Sequence, residues 1–152
     1  MLLALACASA GAQHRHGVAA LDLAVERGRL TLELHVPMED LVGFEREPRD
    51  ARERAAIDEA LAFLGSGKAF APGERASCRP EPARVERRPG DSGHAEIHAA
   101  VAYACADTEA GQVDAAALFR RFPRLKRIDA RLATARGQSA ARLTPSKPTL
   151  RW

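Results

Sequence analysis

Apolar and polar residues alternate strictly on both sides of a turn between positions 21 and 36, and this pattern constrains the fold more than any other. A period of two is typical of a β-strand with one buried face, and the Arg27-Gly28 pair between the two runs is typical of a hairpin turn. A two-residue turn at this pair predicts a register in which the apolar side chains of both strands share one face. The predicted pairs are Val25–Leu30, Leu23–Leu32 and Leu21–Leu34.

The other face of this predicted hairpin is acidic. The same register places Asp22 opposite Glu33, and Ala20 opposite His35. Two facing carboxylates repel each other, so they need a cation nearby. That cation is either a metal ion, for which His35 would be a further ligand, or an arginine from a neighbouring hairpin. The pattern leaves both interpretations open.

A second hairpin is predicted near the carboxyl end of the chain. Apolar residues alternate with polar ones from position 128, and they resume at positions 141 and 143 after a turn predicted at Arg136-Gly137. This register places Arg131 opposite Arg142. The resulting arginine pair is the alternative partner for the acidic pair of the first hairpin.

Two helices are predicted between and after the strands. Asp50 and Glu53 form an Asp-x-x-Glu capping box ahead of a helix over 51–64. A second helix is predicted from Asp114, as its N-cap, to Phe122. A proline-rich loop over 71–82 and a short strand over 83–86 lie between these helices. The order ββα-ββα-ββ predicts an α+β fold, with antiparallel sheet and the two helices packed against it.

The segment HAEIHAAVAYAC, at positions 94–105, carries the most suggestive chemistry. As a strand it would turn Ile97, Val101, Tyr103 and Cys105 toward a core, and it would turn His94, Glu96 and His98 toward the other face. As a helix it would bring Ile97, Val101 and Cys105 onto one side. Imidazole and carboxylate groups are zinc ligands, although exposed polar residues at a strand start are the plainer interpretation.

Spacing limits how these three residues can share an ion. Side chains two apart on a strand lie roughly 6–7 Å from each other, and side chains four apart lie roughly 13 Å apart. At most two of the three can therefore bind one ion, and a further ligand is required. We expect His35 or the pair His14 and His16 to provide it.

The first residues, MLLALACASAGA, are apolar and uncharged, and they end in the cleavage pattern Ala10-Gly11-Ala12. This pattern predicts a secretory signal peptide over 1–12, cleaved near Ala12, and a single domain over 13–152. The positive n-region is missing, which leaves open a start upstream of Met1. Anchoring as a lipoprotein through Cys7 is the alternative. The apolar stretch is too short to span a bilayer.

Cleavage there would leave two cysteines, Cys78 and Cys105. An even number of cysteines in an exported protein predicts a disulfide bond between them. A pair of thiolate zinc ligands is the alternative interpretation. The disulfide is favoured because the two residues lie far apart in sequence and an exported protein is predicted to reside in an oxidising compartment.

Composition disfavours several classes of function. The formal net charge is +3, and the arginines are dispersed without interleaved aromatic residues, so a nucleic-acid-binding surface is not expected. With one tyrosine, one tryptophan and five phenylalanines, an aromatic sugar-binding platform is not expected either. Asp22 and Glu33 are the only carboxylate pair that would suit a hydrolase, and no catalytic motif accompanies them. We therefore expect no enzyme.

The chain resembles the ZrgA-like family of exported bacterial proteins, which is associated with zinc uptake. The resemblance covers nearly all of the chain after the predicted signal peptide. The matching segments are HRHGVAALDLAVERGRLTLELHVP, LVGFEREP, HAEIHAAVAYACAD and LFRRFPRLKRIDARLATARGQSAARLTPSKPTLRW. The resemblance implies a periplasmic protein that binds zinc and assists a high-affinity zinc importer or its binding protein.

Two departures from the family lower the expected zinc capacity. Family members often carry a tract rich in histidine and aspartate where this chain has only residues 86–93, which include no histidine. The family also tends to place a histidine after Gly-Phe-Glu, where this chain has Arg46. The resemblance is firmest for His16 and His94. The full set of candidate ligands is His94, Glu96, His98, His16, His14 and His35.

Two functions therefore remain in competition. The first is a zinc-binding accessory of metal import that holds one or two ions in ordered sites. The second is a protein-interaction module of the same fold that has lost zinc binding together with the histidine tract. A homodimer through a sheet edge is compatible with either function.

Overall fold

The computed structural model of the chain describes residues 15–90, 93–109 and 111–152. The predicted signal peptide, Cys7 and His14 lie outside the described residues. Within the described ranges, the strands are β1 (Val18–Glu26), β2 (Arg29–Pro37), β3 (Ala71–Pro72), β4 (Cys78–Pro80), β5 (Arg84–Pro89), β6 (Ala95–Cys105), β7 (Gln112–Asp114), β8 (Arg127–Thr134), β9 (Gly137–Leu143) and β10 (Thr149–Arg151). The helices are α1 (Met38–Val42), α2 (Ala51–Gly65) and α3 (Ala116–Arg121), and a short 3-10 turn spans Glu74–Ala76.

Most of the strands form one large mixed sheet. Its order is β4-β6-β2-β1-β8-β9, and β5 also pairs with β6. Neighbouring strands run antiparallel except β1 and β8, which run parallel. A small second sheet has the order β10-β7-β3. In antiparallel neighbours the start of one strand lies beside the end of the next. The starts of β1 and β6 therefore lie beside the end of β2, at the same end of the sheet.

The first hairpin has the register that the sequence predicts. Val25 pairs with Leu30, Leu23 with Leu32 and Leu21 with Leu34. Gly28 has a positive φ of 76° in the turn, a conformation that glycine adopts without a steric penalty. Because pattern and turn agree, the leucines of both strands are buried in the core.

The predicted fold class is wrong. Strand accounts for 47% and helix for 22% of the structure, which is mostly β rather than an α+β fold in ββα-ββα-ββ order. Among the described residues there are ten strands and three short helices, rather than six strands and two helices. The parallel pairing of β1 with β8 joins elements more than 100 residues apart, and no local pattern predicts it.

Three local assignments explain much of this difference. The proline-rich stretch predicted as a loop contains β3 and β4. Asp114 belongs to β7 and the N-cap of α3 is Ala115, although the Asp114 side chain accepts a hydrogen bond at 2.7 Å from the amide of Ala116, the first residue of the helix. Helix α1 follows directly on Pro37 and was not predicted. The predicted N-cap of α2 is confirmed, since Asp50 accepts a hydrogen bond from the Glu53 amide at 2.8 Å, but the Glu53 carboxylate accepts one from the amide of Arg49 rather than of Asp50.

The predicted register of the second hairpin is also wrong. Thr134 pairs with Gly137, so the turn falls on residues 135 and 136, and Arg142 faces Asp129 rather than Arg131. The Thr134 hydroxyl explains this choice, because it accepts a hydrogen bond from the Arg136 amide and donates one to the Gly137 carbonyl.

The core lies on one face of the large sheet and between the two sheets. Apolar side chains of β1, β2, β6 and β8 pack there with Ile57 and Leu64 of α2 and with Leu118 of α3. The Tyr103 hydroxyl donates to the Gly67 and Phe70 carbonyls, and burial raises the pKa of Tyr103 to about 12. The opposite face of the sheet carries the polar residues of β1, β2 and β6.

The predicted disulfide is present between Cys78 and Cys105, which are direct partners in the β4–β6 pair. It fastens the short edge strand β4 to the longest strand of the sheet. None of the helices formed by the described residues has the length and hydropathy that crossing a membrane requires.

Candidate metal centre

The segment that carries three of the predicted ligands is a strand, so the helical alternative is wrong. Ile97, Val101 and Tyr103 of β6 are buried in the core, as the strand interpretation predicts. His98 is on the other face of the sheet, and His94 immediately precedes the strand. The two histidines lie four positions apart along extended chain, and the structure places them in two separate groups.

The first group, which we call the loop cluster, contains His16, Glu39, Glu45 and His94. His16 precedes β1, Glu39 lies on α1 just after β2, and His94 precedes β6. These are the three strand ends that lie together at one end of the sheet. Glu45 comes from the loop between α1 and α2.

Glu45 is the centre of the loop cluster. Its side chain is 9% exposed, and its Oε2 atom contacts His94 Nδ1. Its other oxygen, Oε1, makes no hydrogen bond to the described residues and lies 4.0 Å from His16 Nδ1. His16 Nδ1 also lies 3.3 Å from Glu39 Oε2. The ligand atoms of His16, Glu39 and Glu45 all lie within 4.8 Å of one another.

Asp40 and Gly17 fix the position of His16. Both oxygens of the buried Asp40 carboxylate accept the Gly17 amide hydrogen bond, at 2.7 and 2.9 Å. The Gly17 carbonyl accepts hydrogen bonds from the amides of Lys126 and Arg127. Gly17 has a φ of 78°, which favours glycine after the histidine. Burial is the main cause that raises the pKa of Asp40, and the Gly17 hydrogen bond opposes it.

The loop that carries Glu45 is anchored at both ends. Gly43 ends α1 with a φ of 89°, and its amide donates to the Glu39 carbonyl. Arg46, the residue that departs from the family pattern, binds both oxygens of Glu53 at 2.6 and 2.7 Å. This pairing lowers the pKa of Glu53 to about 2. Arg46 therefore points to the start of α2 and acts as a clamp for the loop.

The second group, which we call the sheet cluster, contains Glu33, His35 and His98. His35 on β2 pairs directly with His98 on β6, and their rings stack with centroids 4.3 Å apart. His98 Nε2 lies 3.9 Å from Glu33 Oε2. The ligand atoms of these three residues also lie within 4.8 Å of one another.

The electrostatics of the sheet cluster favour a neutral His98. Its side chain is 15% exposed, and burial is the largest cause that lowers its pKa. The charges of His35 and Arg88 lower this pKa further. The carboxylates of Glu33 and Glu86 act in the opposite direction. A neutral imidazole is the form that binds a metal ion.

Sequence reasoning predicted some of these residues and missed others. His16, His94, His35 and His98 were predicted, whereas Glu39 and Glu45 were not. Glu45 is part of the quoted segment LVGFEREP, but helix α1, which positions this loop, was not predicted, so the sequence contained no direct sign that Glu45 lies beside His16 and His94. Of the other two predicted ligands, His14 lies outside the described residues, and Glu96 faces Pro37 and Arg88 in the strand register and belongs to neither cluster.

The prediction that an arginine from another hairpin neutralises the facing carboxylates of Asp22 and Glu33 is confirmed for Asp22. Arg131 of β8 is its direct neighbour across the parallel pair, and it binds both carboxylate oxygens at 2.5 and 2.6 Å. This salt bridge neutralises the carboxylate of Asp22. The facing carboxylate, Glu33, belongs to the sheet cluster.

With this geometry established, the comparison with known families is decisive. The family model for ZrgA family zinc uptake proteins matches residues 13–152. The chain belongs to the ZrgA family. The match spans both clusters, and a role related to zinc uptake follows from it. Among curated proteins, none matches the chain.

Proposed function

We propose that this ZrgA family member is a periplasmic zinc-binding accessory protein, which holds zinc in the loop cluster and assists a high-affinity zinc importer. The observation that carries the proposal is Glu45, a carboxylate that is 9% exposed and lies between His16 and His94. A buried carboxylate oxygen without a hydrogen bond is costly, and a bound cation would compensate for that cost.

The donor set of the loop cluster suits zinc. Two imidazoles and two carboxylates provide four ligands, the number that a tetrahedral zinc ion accepts. Zinc bound at about 2.0–2.1 Å requires ligand atoms about 3.4 Å apart. His16 Nδ1 and Glu39 Oε2 already have that spacing at 3.3 Å, and Glu45 Oε1 lies 4.0 Å from His16 Nδ1. Small rotations of these three side chains would bring them to the separation that zinc requires, and His94, which contacts Glu45, is the fourth proposed ligand.

Two features support an accessory role rather than bulk storage. The sequence has only five histidines and no histidine-rich tract, so its capacity is limited to ordered sites. Glu39 and His16 are 44% and 56% exposed in their side chains, so one side of the loop cluster is open to water. An ion held there can leave to a partner without unfolding of the core.

The proposed location rests on the disulfide and on the sequence of the first residues. The Cys78–Cys105 bond is compatible with an oxidising compartment, where structural disulfides persist. We propose that the chain is exported and cleaved near Ala12. The partner we propose there is a zinc importer or its binding protein.

The test is zinc binding by residues 13–152 at pH 7.4, measured by titration calorimetry and by native mass spectrometry. Glu45→Gln preserves the shape of the side chain but removes its charge, and it should weaken binding at the loop cluster by at least about tenfold. Glu47→Gln is the matched control, because Glu47 lies two positions away and its side chain is 78% exposed and paired with Arg87, outside the loop cluster. The control should bind zinc as the wild type does.

Two results would contradict the proposal. Equal affinity of Glu45→Gln and the wild type would mean that the loop cluster holds no zinc. If the wild type binds no zinc at micromolar concentration, the interaction module without metal becomes the better account of this fold.

A further inference from the structure

The polar face of the sheet has a group of potential ligands that the loop cluster does not use. His35 and His98 face each other across β2 and β6, and Glu33 lies two residues before His35 on the same face of β2. The imidazole rings are stacked with an interplanar angle of 28°, and each ring has a nitrogen atom within 4.8 Å of the other. The two rings come from paired strands of a seven-stranded sheet, so the scaffold that holds them is rigid.

His98 Nε2 is buried and makes no hydrogen bond to any described residue. Its nearest acidic atom is Glu33 Oε2 at 3.9 Å, which is too far for a hydrogen bond. Leaving a buried polar atom unsatisfied costs free energy, so its retention here points to a ligand that approaches Nε2.

The carboxylate neighbours of His98 differ in their availability. Glu86 lies 3.8 Å from His98 Nδ1, but its two oxygens are occupied by Arg84 and Arg88. Glu33 is half exposed, and its direct partner across the hairpin, Asp22, is held by Arg131. Glu33 is therefore the carboxylate that can turn toward His98 Nε2.

We propose that Glu33, His35 and His98 form a second binding site for a divalent transition ion of the zinc type, separate from the loop cluster. Two imidazoles and one carboxylate are three protein ligands, and the fourth tetrahedral position stays open to water or to an exchanging ligand. The ligand atoms lie within 4.8 Å of one another, so a shift of about 1 Å brings them to the separation that zinc requires.

The open position gives the second site a distinct role. With one protein ligand fewer than the loop cluster, and with that position open to water, the sheet cluster is expected to bind its ion more weakly and to release it faster. The sheet cluster would therefore load and unload at higher free zinc than the loop cluster. The chain would carry up to two ions of unequal affinity, which provides capacity without a histidine-rich tract.

The test uses zinc alone, and each histidine is read separately by two-bond proton–nitrogen NMR of the imidazole rings at pH 7.4. Titration of the wild type should shift the ring nitrogens of His16 and His94 first and those of His35 and His98 at higher zinc. Glu33→Gln should weaken the second step by at least about tenfold and leave the first unchanged. Asp22→Asn is the matched control, because Asp22 faces Glu33 but is bound to Arg131.

The variants separate this proposal from the proposed function. Glu45→Gln should remove the first step and retain the shifts of His35 and His98, so failure of the loop cluster does not hide the sheet cluster. His35→Asn provides a further check that leaves the buried His98 in place. The second site is excluded if His35 and His98 do not respond to zinc in the wild type, or if Glu33→Gln and Asp22→Asn affect the second step equally.

Discussion

Asp40→Asn is the change that best connects the fold to the candidate zinc site. Asp40 is 3% exposed, and both of its oxygens accept the amide hydrogen bond of Gly17, the residue next to His16. The asparagine side chain has nearly the same shape but lacks the charge, and its amide nitrogen is a donor that would face the Gly17 donor. The substitution therefore weakens the contact that fixes His16 without creating a cavity.

The expected magnitude follows from the contact. A hydrogen bond to a charged group contributes about 1.5–3 kcal/mol and a neutral one about 0.5–1.5 kcal/mol, so the loss is about 1–1.5 kcal/mol. Burial already raises the pKa of Asp40, and the neutral side chain avoids that desolvation cost. The net loss should be about 1 kcal/mol, or about 2–4 °C in Tm for a domain of this size.

Two assays check this prediction together. Thermal unfolding of the zinc-free protein should show the small loss of stability, and calorimetric titration should show weaker zinc binding, since His16 is no longer held in place. The control is Asp22→Asn, which removes an exposed carboxylate of the opposite sheet face and should not change binding at the loop cluster. Unchanged Tm and unchanged zinc affinity in Asp40→Asn would refute the reasoning that Asp40 positions His16.

Three further predictions concern stability. Leu32→Ala should lower the free energy of unfolding by about 2–5 kcal/mol in denaturant titrations, because Leu32 is fully buried at the centre of the hairpin; a loss under 1 kcal/mol would contradict this. Replacing Cys78 and Cys105 together with alanine should cost roughly 3 kcal/mol, since the bond closes a loop with a sequence separation of 27; equal unfolding of reduced and oxidised wild type would argue against it. The pKa of Glu53 is about 2 in the folded protein instead of 4.5, so its contribution to stability is complete above pH 4.5 and is lost as the pH falls toward 2. Arg46→Gln should reduce this loss of stability between pH 4.5 and pH 2 in unfolding measurements. A pH dependence of stability equal to that of the wild type would contradict the role of Arg46 as a clamp.

The first hairpin could be predicted in full because its pattern and its turn impose the same register. Slipping the pairing by one residue would turn the apolar side chains of one of the two strands toward water. In the second hairpin, β9 buries only Leu143, so the apolar pattern barely restrains the register there. The Thr134 hydroxyl decides the turn instead, and a side-chain hydrogen bond of this kind is hard to foresee from sequence.

The histidines of the candidate sites could be predicted, but their grouping could not. His94 and Glu45 are 49 positions apart, and their contact depends on the order β6-β2-β1, which brings the ends of these strands together. The pairing of His35 with His98 depends on the register between β2 and β6, which are separated by helix and loop. The pattern of residues along the chain predicts which face of a strand each side chain is on. These contacts also depend on which strands are neighbours in the sheet, and the pattern does not predict that.

The most direct test of the central claim is the structure of residues 13–152 crystallised with zinc, with anomalous diffraction measured at the zinc edge. We expect the strongest anomalous peak between His16, Glu45 and His94, with Glu39 completing the ligand set. A zinc ion bound at neither cluster, or a strongest peak that excludes Glu45, would contradict the account.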